Sequence, residues 1–161
     1  MTPSKTLSFM TGALTDYAWT PNKHSHVVLF TGGAGITPMY QLTLTILKNR
    51  EDKTKITLVF GINGDEDVLF KREFKEMENQ FPARFKAIYS VSNPSSGSIY
   101  QKGYITRHLL DSTIPGPKKE NIKALFCGPL PMEAAIAGPK GYLGIPGTLG
   151  GVLKEMGYTR D

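Results

Sequence analysis

Cysteine is almost absent: Cys127 is the single thiol among 161 residues, so no internal disulfide can form and a bridge-stapled secreted scaffold is excluded. One thiol also cannot supply the paired-Cys spacing of a structural zinc site, and no metal is expected. Long apolar runs are missing too. The longest near the front, Val27 to Phe30, falls far short of the roughly 20 residues a membrane helix needs. No basic and apolar leader opens the chain as given, so a soluble, untargeted protein is expected. Charge of one sign never accumulates: 19 Lys+Arg against 14 Asp+Glu leave a formal +5, spread along the chain without the block that marks a nucleic-acid arm. No nucleic-acid partner is expected. The excess reads either as solvated surface or as mild steering toward an acidic partner.

What is present is enough for a core. With 40% apolar residues, a chain of this length can bury about 68–70% of its unfolded surface. Four short apolar runs, His26 to Thr31, Lys55 to Phe60, Phe85 to Val91 and Ile122 to Cys127, each closed by turn-forming residues, predict buried strands. Between them, Met39, Leu42, Ile46 and Leu47 recur at helical spacing over Pro38 to Asn49, with Thr37 placed as N-cap and Pro38 as first helical residue. Asp65 to Gln80 carries Val68, Leu69, Phe70, Phe74 and Met77 on one side and charges on the other, and is expected as one crossover helix. Shorter helices are expected over Ile105 to Asp111, Met132 to Ala137 and Gly151 to Met156. Strands alternating with helices predict an α/β fold with a mostly parallel sheet covered on both faces.

The strongest local signal is Thr31-Gly32-Gly33-Ala34-Gly35-Ile36-Thr37-Pro38, a glycine-rich turn leaving a strand and opening a helix. Backbone without Cβ lets a phosphate approach, and the helix start offers unpaired N–H groups. It is neither G-x-G-x-x-G, since Ala34 and Thr37 occupy the second and third glycine positions, nor a P-loop, since no Lys-Ser/Thr follows. Two readings stand: a phosphate cradle, or a tight strand-to-helix turn. Cys127-Gly128-Pro129-Leu130-Pro131-Met132 closes a strand at the sheet edge where ligands bind, although a small buried thiol explains Cys127 equally. His24, His26 and His108 have no third ligand beside them, and no G-x-S-x-G elbow supports a serine hydrolase.

Taken in order, Gly-Gly-x-Gly-Ile-Thr-Pro-Met and Cys-Gly-Pro-x-x-Met resemble the pyridine-nucleotide lobe of the ferredoxin-NADP reductase superfamily. Pro21-Asn22-Lys23-His24, Met39-Tyr40-Gln41, Leu69-Phe70-Lys71-Arg72-Glu73 and Leu153-Lys154-Glu155-Met156-Gly157-Tyr158 further resemble NADH-cytochrome b5 reductases of the mitochondrial type, over nearly the whole chain. The resemblance implies a Rossmann-like three-layer NAD(P)-binding domain over 21–161, with 1–20 a remnant of the edge of a flavin-binding domain and its linker. It implies an oxidoreductase and flavoprotein activity: hydride passes from NADH to FAD, then single electrons to a cytochrome b5-like acidic haem protein. It also implies a mitochondrial, membrane-associated full-length relative.

On the same resemblance, Gly32, Gly33 and Gly35 meet the pyrophosphate and nicotinamide side, Thr37 and Pro38 face the flavin and nicotinamide, Ile36 belongs to the same cofactor-binding turn, and Cys127, Gly128, Pro129 and Met132 border the nicotinamide ring. Thr37 and Cys127 are the expected catalytic pair. Gly61, Ser92 and Tyr104 complete the cofactor set, Tyr104 against adenine. Three departures follow. The family's flavin barrel, with most of the FAD site, is not in the chain; the family's chains run a few residues past Asp161; and Ser92 stands where an acidic residue usually accepts hydrogen bonds from the adenosine ribose. Serine removes a repulsion, so NADPH is expected beside NADH, with Lys102 the candidate cation for its 2′-phosphate. A non-catalytic nucleotide-binding module and a basic interaction protein are the alternatives.

Overall fold

The computed structural model describes residues 6–9, 19–103, 105, 107–114, 122–128, 130–138 and 151–156. Their strands are β1 (Thr6–Phe9), β2 (His26–Gly32), β3 (Lys55–Ile62), β4 (Phe85–Val91), β5 (Gln101–Lys102) and β6 (Ile122–Cys127). All six are parallel, in one sheet of order β1-β6-β2-β3-β4-β5. The helices are α1 (Ile36–Lys48), α2 (Lys71–Gln80), α3 (Arg107–Thr113), α4 (Leu130–Ala137) and α5 (Gly151–Glu155).

Strand composition dictates the layering. Every residue of β2 is buried, so neither face of the sheet can be left to water and helices must cover both. Alternate side chains divide the core. Val27, Leu29, Leu58 and Phe60 face one side with Ile36, Met39 and Phe74 of α1 and α2. Val28, Phe30, Val59 and Phe126 face the other with Leu110, Ile136 and Leu153 of α3, α4 and α5. Each of these large side chains contributes about 1.5–3 kcal/mol by leaving water.

Two strands exceed the four expected. β1 lies within the stretch 1–20 and pairs with β6, Thr6 opposite Lys123 and Phe9 opposite Phe126. β5, two residues long, extends the opposite edge beside Ser90 and Val91.

Two helix expectations need correction. α1 begins at Ile36 with Gly35 as its cap and no side-chain capping bond, so Thr37 is not the N-cap and Pro38 is third in the helix. A 3-10 turn over Gly33–Gly35 starts the helical backbone early, and proline is tolerated there because first-turn N–H groups have no intrahelical partner. Asp65 to Gln80 is not one helix. A 3-10 turn, Asp65–Asp67, is followed by extended Val68, and Phe70 sits at φ 59°. The left-handed Phe70 stacks on Tyr40 at 4.4 Å between centroids and meets Phe74 edge-on at 6.2 Å. That packing breaks the helix and turns Leu69 outward, 49% exposed.

The segment entering β2 is held by one carboxylate. Asp52 is fully buried, and four donors converge on it: Trp19 Nε1 at 2.7 Å, Thr54 Oγ1 at 2.6 Å, Thr54 N at 3.0 Å and Asn22 N at 3.3 Å. Buried His26 bonds Thr57 Oγ1 through Nε2 at 2.8 Å, a packing role within the sheet. Among the described residues no helix is long and apolar enough to cross a membrane.

Candidate functional site

The chain passes from β2 to β3 and β4 on one side and returns to β6 on the other. Strand order therefore reverses between β2 and β6, the position at whose carboxyl edge open parallel sheets bind ligands. A cleft of about 930 Å³ opens beside this position, over the ends of β3 and β4, with Gly33 after β2 and Met132 of α4 on its wall, at the upper end of the roughly 300–1,000 Å³ usual for small-molecule sites. Gly33, Gly61, Ser92 and Met132 line it together. Four of the residues singled out from sequence thus converge on one site.

The glycines differ in role. Gly33 is exposed at φ +54°, and a Cβ placed there would meet nothing within 4 Å; it presents bare backbone to the cleft, as an approaching phosphate requires. Gly35 does the opposite. Its Cβ would overlap the Cys127 carbonyl oxygen and lie 2.7 Å from that carbonyl carbon, so its missing side chain lets α1 seat against the end of β6. Gly128 in turn packs on buried Gly32, whose N would lie 3.0 Å from a Cβ. Gly61 leaves space for Met132, whose Cε would be 3.1 Å from one. Ile36 is wholly buried in the core, so its side chain serves packing and meets no ligand. Thr37 is exposed and Pro38 half-buried in the first turn of α1. Pro129 and Tyr104 lie outside the described residues.

Several lining residues were not anticipated from sequence: Asn63, Glu66, Asp67 and Leu69 from the loop after β3, with Ser90, Gly103 and Ile105. Asn63-Gly64 is a turn dipeptide directly after a buried strand, a signal that could have marked them. The loops after β3 and β4 are tied together. Asn93 Nδ2 donates to Asn63 Oδ1 and Asn93 N to Asn63 O, both at 2.8 Å. Ser95 N donates to Asp65 Oδ1 at 2.9 Å. The Ser98 hydroxyl, then the Ser95 amide, hold the Asp65 carboxyl below its ordinary value.

Residues 29–138 match the family described as the oxidoreductase NAD-binding domain. The chain belongs to that family. It is 54% identical over 150 residues to NADH-cytochrome b5 reductase 2 of Emericella nidulans, across 93% of this chain and 47% of that protein. It is 47% identical to NADH-cytochrome b5 reductase 2 of Botryotinia fuckeliana, across all of this chain and 46% of that one. The chain thus spans about half the length of the curated relatives it matches. Among solved structures it is similar to the cytochrome b5 reductase domain of Ulva prolifera nitrate reductase, with TM-score 0.68 and 28% identity over 83% of this chain and 46% of that one. The fold is that of the NAD-binding lobes of ferredoxin reductase-like proteins.

In this NAD-binding domain Cys127 is half-buried at the end of β6 and is not part of the cleft lining. Burial pushes its thiol above the ordinary value of 9.0, so sulfur is neutral at physiological pH and no nucleophilic role follows. Alkylation by iodoacetamide is therefore expected to be slower than for a free thiol at neutral pH and still rising above pH 9. A rate already at its plateau at pH 8 would contradict this environment.

Proposed function

We propose that this chain is the NAD(P)H-binding lobe of a two-lobe flavoprotein reductase of the NADH-cytochrome b5 reductase kind, delivering hydride to FAD and, through it, electrons to a cytochrome b5-like acidic haem protein. Residues 21–161 constitute the lobe together with β1, which joins their sheet beside β6, so the division at residue 20 expected from sequence gives way there, and the rest of 1–20 is assigned to the junction with a flavin-binding domain. The observation that carries the reading is Gly33: a left-handed, uncovered glycine over a cleft of dinucleotide size, at the start of a helix of 13 residues. A dinucleotide fits these residues, since the pyrophosphate finds bare backbone at Gly33 while Gly61 and Met132 give the bases and sugars an apolar floor.

When bound together, nicotinamide and flavin supply the hydride chemistry; this chain supplies placement. The Gly33 backbone anchors the phosphates. The Gly35–Cys127 contact fixes the start of α1 against the end of β6, and Thr37 and Cys127, which lie outside the cleft lining, would border a nicotinamide reaching past the cleft toward that junction, with the thiol neutral. Ser92, half-buried beside the end of β3, receives the ribose hydroxyls. A mitochondrial setting is assigned on the motif resemblance alone, through residues such as Met39-Tyr40-Gln41 and Leu69-Phe70-Lys71-Arg72-Glu73. Calorimetric titration tests the reading: NADH and 5′-AMP are expected to compete for one site, while FAD is retained weakly or not at all. Failure to bind either adenine nucleotide would overturn it, and stoichiometric FAD on the purified chain would refute the assignment of the flavin site to another lobe.

A further inference from the structure

On the nucleotide reading above, we infer that Glu66 sets coenzyme choice in this lobe, by disfavouring a nucleotide that carries a 2′-phosphate. Sequence alone points the other way, because Ser92 removes the usual carboxylate beside the ribose. The structure returns a carboxylate from a different loop. Ser92 N donates to Ile62 O at 3.0 Å and Asn93 is bonded to Asn63, so the chain leaving β3 lies against residue 92. Three residues beyond Asn63, Glu66 folds back over Gly64: a Cβ on that glycine would lie 2.5 and 2.7 Å from its two carboxylate oxygens. The same cleft is lined by Ser92 and Glu66.

Among the described residues lining the cleft none is Lys or Arg, and Asp67 is a second acid. Asp67 is committed to the turn, its Oδ2 accepting from Gly64 N at 3.1 Å, whereas the Glu66 side chain is exposed. Lys102, the cation expected from sequence, is exposed on β5 and outside the cleft. Lys71 lies over the Tyr100 ring at 5.3 Å, beside the neighbouring loop. A dianionic 2′-phosphate therefore enters an end of the cleft holding two carboxylates, where like charges facing each other set specificity by repulsion. A ribose 2′-hydroxyl meets no such penalty and can donate to the carboxylate.

The probes are 5′-AMP and adenosine 2′,5′-bisphosphate, which differ only by the 2′-phosphate and need neither flavin nor hydride transfer. Wild type is expected to bind 5′-AMP at least about tenfold more tightly than the bisphosphate, a difference of about 1.4 kcal/mol. Glu66→Gln is expected to narrow that ratio to within about threefold, and Glu66→Lys to invert it at low salt, with the effect shrinking as salt screens the exposed charge. Thermal melts of both variants establish that the fold is retained. If 5′-AMP binds and Glu66→Gln leaves the ratio unchanged, the assignment to Glu66 is wrong while the nucleotide site stands. If wild type binds neither probe, the nucleotide reading fails and this inference fails with it.

Discussion

Asp52→Ala is expected to destabilise the fold by about 3 kcal/mol, because two or three of the four donors it satisfies would be left unpaired at about 1–3 kcal/mol each. For a domain of this size that is a fall of roughly 6–12 °C in melting temperature. The same carboxylate makes stability depend on pH. Burial alone would raise its pKa, but the Thr54 and Trp19 side chains and the Thr54 and Asn22 amides outweigh that and hold it below the ordinary 3.8. A group whose folded pKa is depressed stabilises fully above its unfolded pKa, and the contribution is lost as pH falls through the folded one. Acid should therefore loosen the segment 19–25 below about pH 4, near an aspartate's unfolded pKa. Trp19 is the only tryptophan and donates to this carboxylate, so its emission reports the step directly. Emission that titrates identically in wild type and Asp52→Asn would show that another group controls this segment.

Gly35→Ala and Gly33→Val should fail in opposite ways. At Gly35 the added methyl would overlap the Cys127 backbone, which cannot yield without shifting β6 or the start of α1, so a loss of about 3 kcal/mol is expected. At Gly33 there is room, and the stability cost is the strain of a branched residue at φ +54°, on the order of 1–3 kcal/mol. Its larger effect falls on the ligand: the isopropyl group would occupy the approach to the bare backbone, and adenine-nucleotide affinity should fall at least about a hundredfold, a loss of roughly 2.7 kcal/mol. Melting and calorimetry on the two folded variants separate the roles. Retained 5′-AMP binding in Gly33→Val would remove Gly33 from the phosphate site, and an unaltered melt for Gly35→Ala would mean that the Gly35–Cys127 contact is not close.

Much of the scaffold was legible locally. Phe85–Val91 and Ile122–Cys127 are strands over the limits expected from their apolar runs, because a strand buried on both faces leaves a composition that flanking turn residues cut off sharply. The glycine-rich turn was legible as a turn, since three residues without Cβ between a strand and a helix mark a sharp change of direction, but which of them faces open space and which serves packing was not. The short edge strands were not, because two to four residues carry no periodicity and their pairing is decided by a neighbour remote in sequence. The break before α2 escaped as well: the apolar spacing continues through Phe70, and only the stacking of that ring on Tyr40 turns the backbone left-handed there.

The sequence by itself determined that this chain builds a parallel sheet covered on both faces, with a glycine-rich turn from a strand into a helix at its carboxyl edge. Burial periodicity and the absence of Cβ are properties of local residues, and they need no knowledge of what lies opposite. Only the tertiary structure separated the two glycines, because Gly33 stands left-handed over an open cleft while Gly35 is right-handed and its missing side chain lets the end of β6 approach. The same is true of charge. Ser92 taken alone suggests tolerance of a 2′-phosphate, and it is the pairing of the β3 and β4 loops that brings Glu66 to the same cleft, since repulsion depends on distance in space and not on separation along the chain.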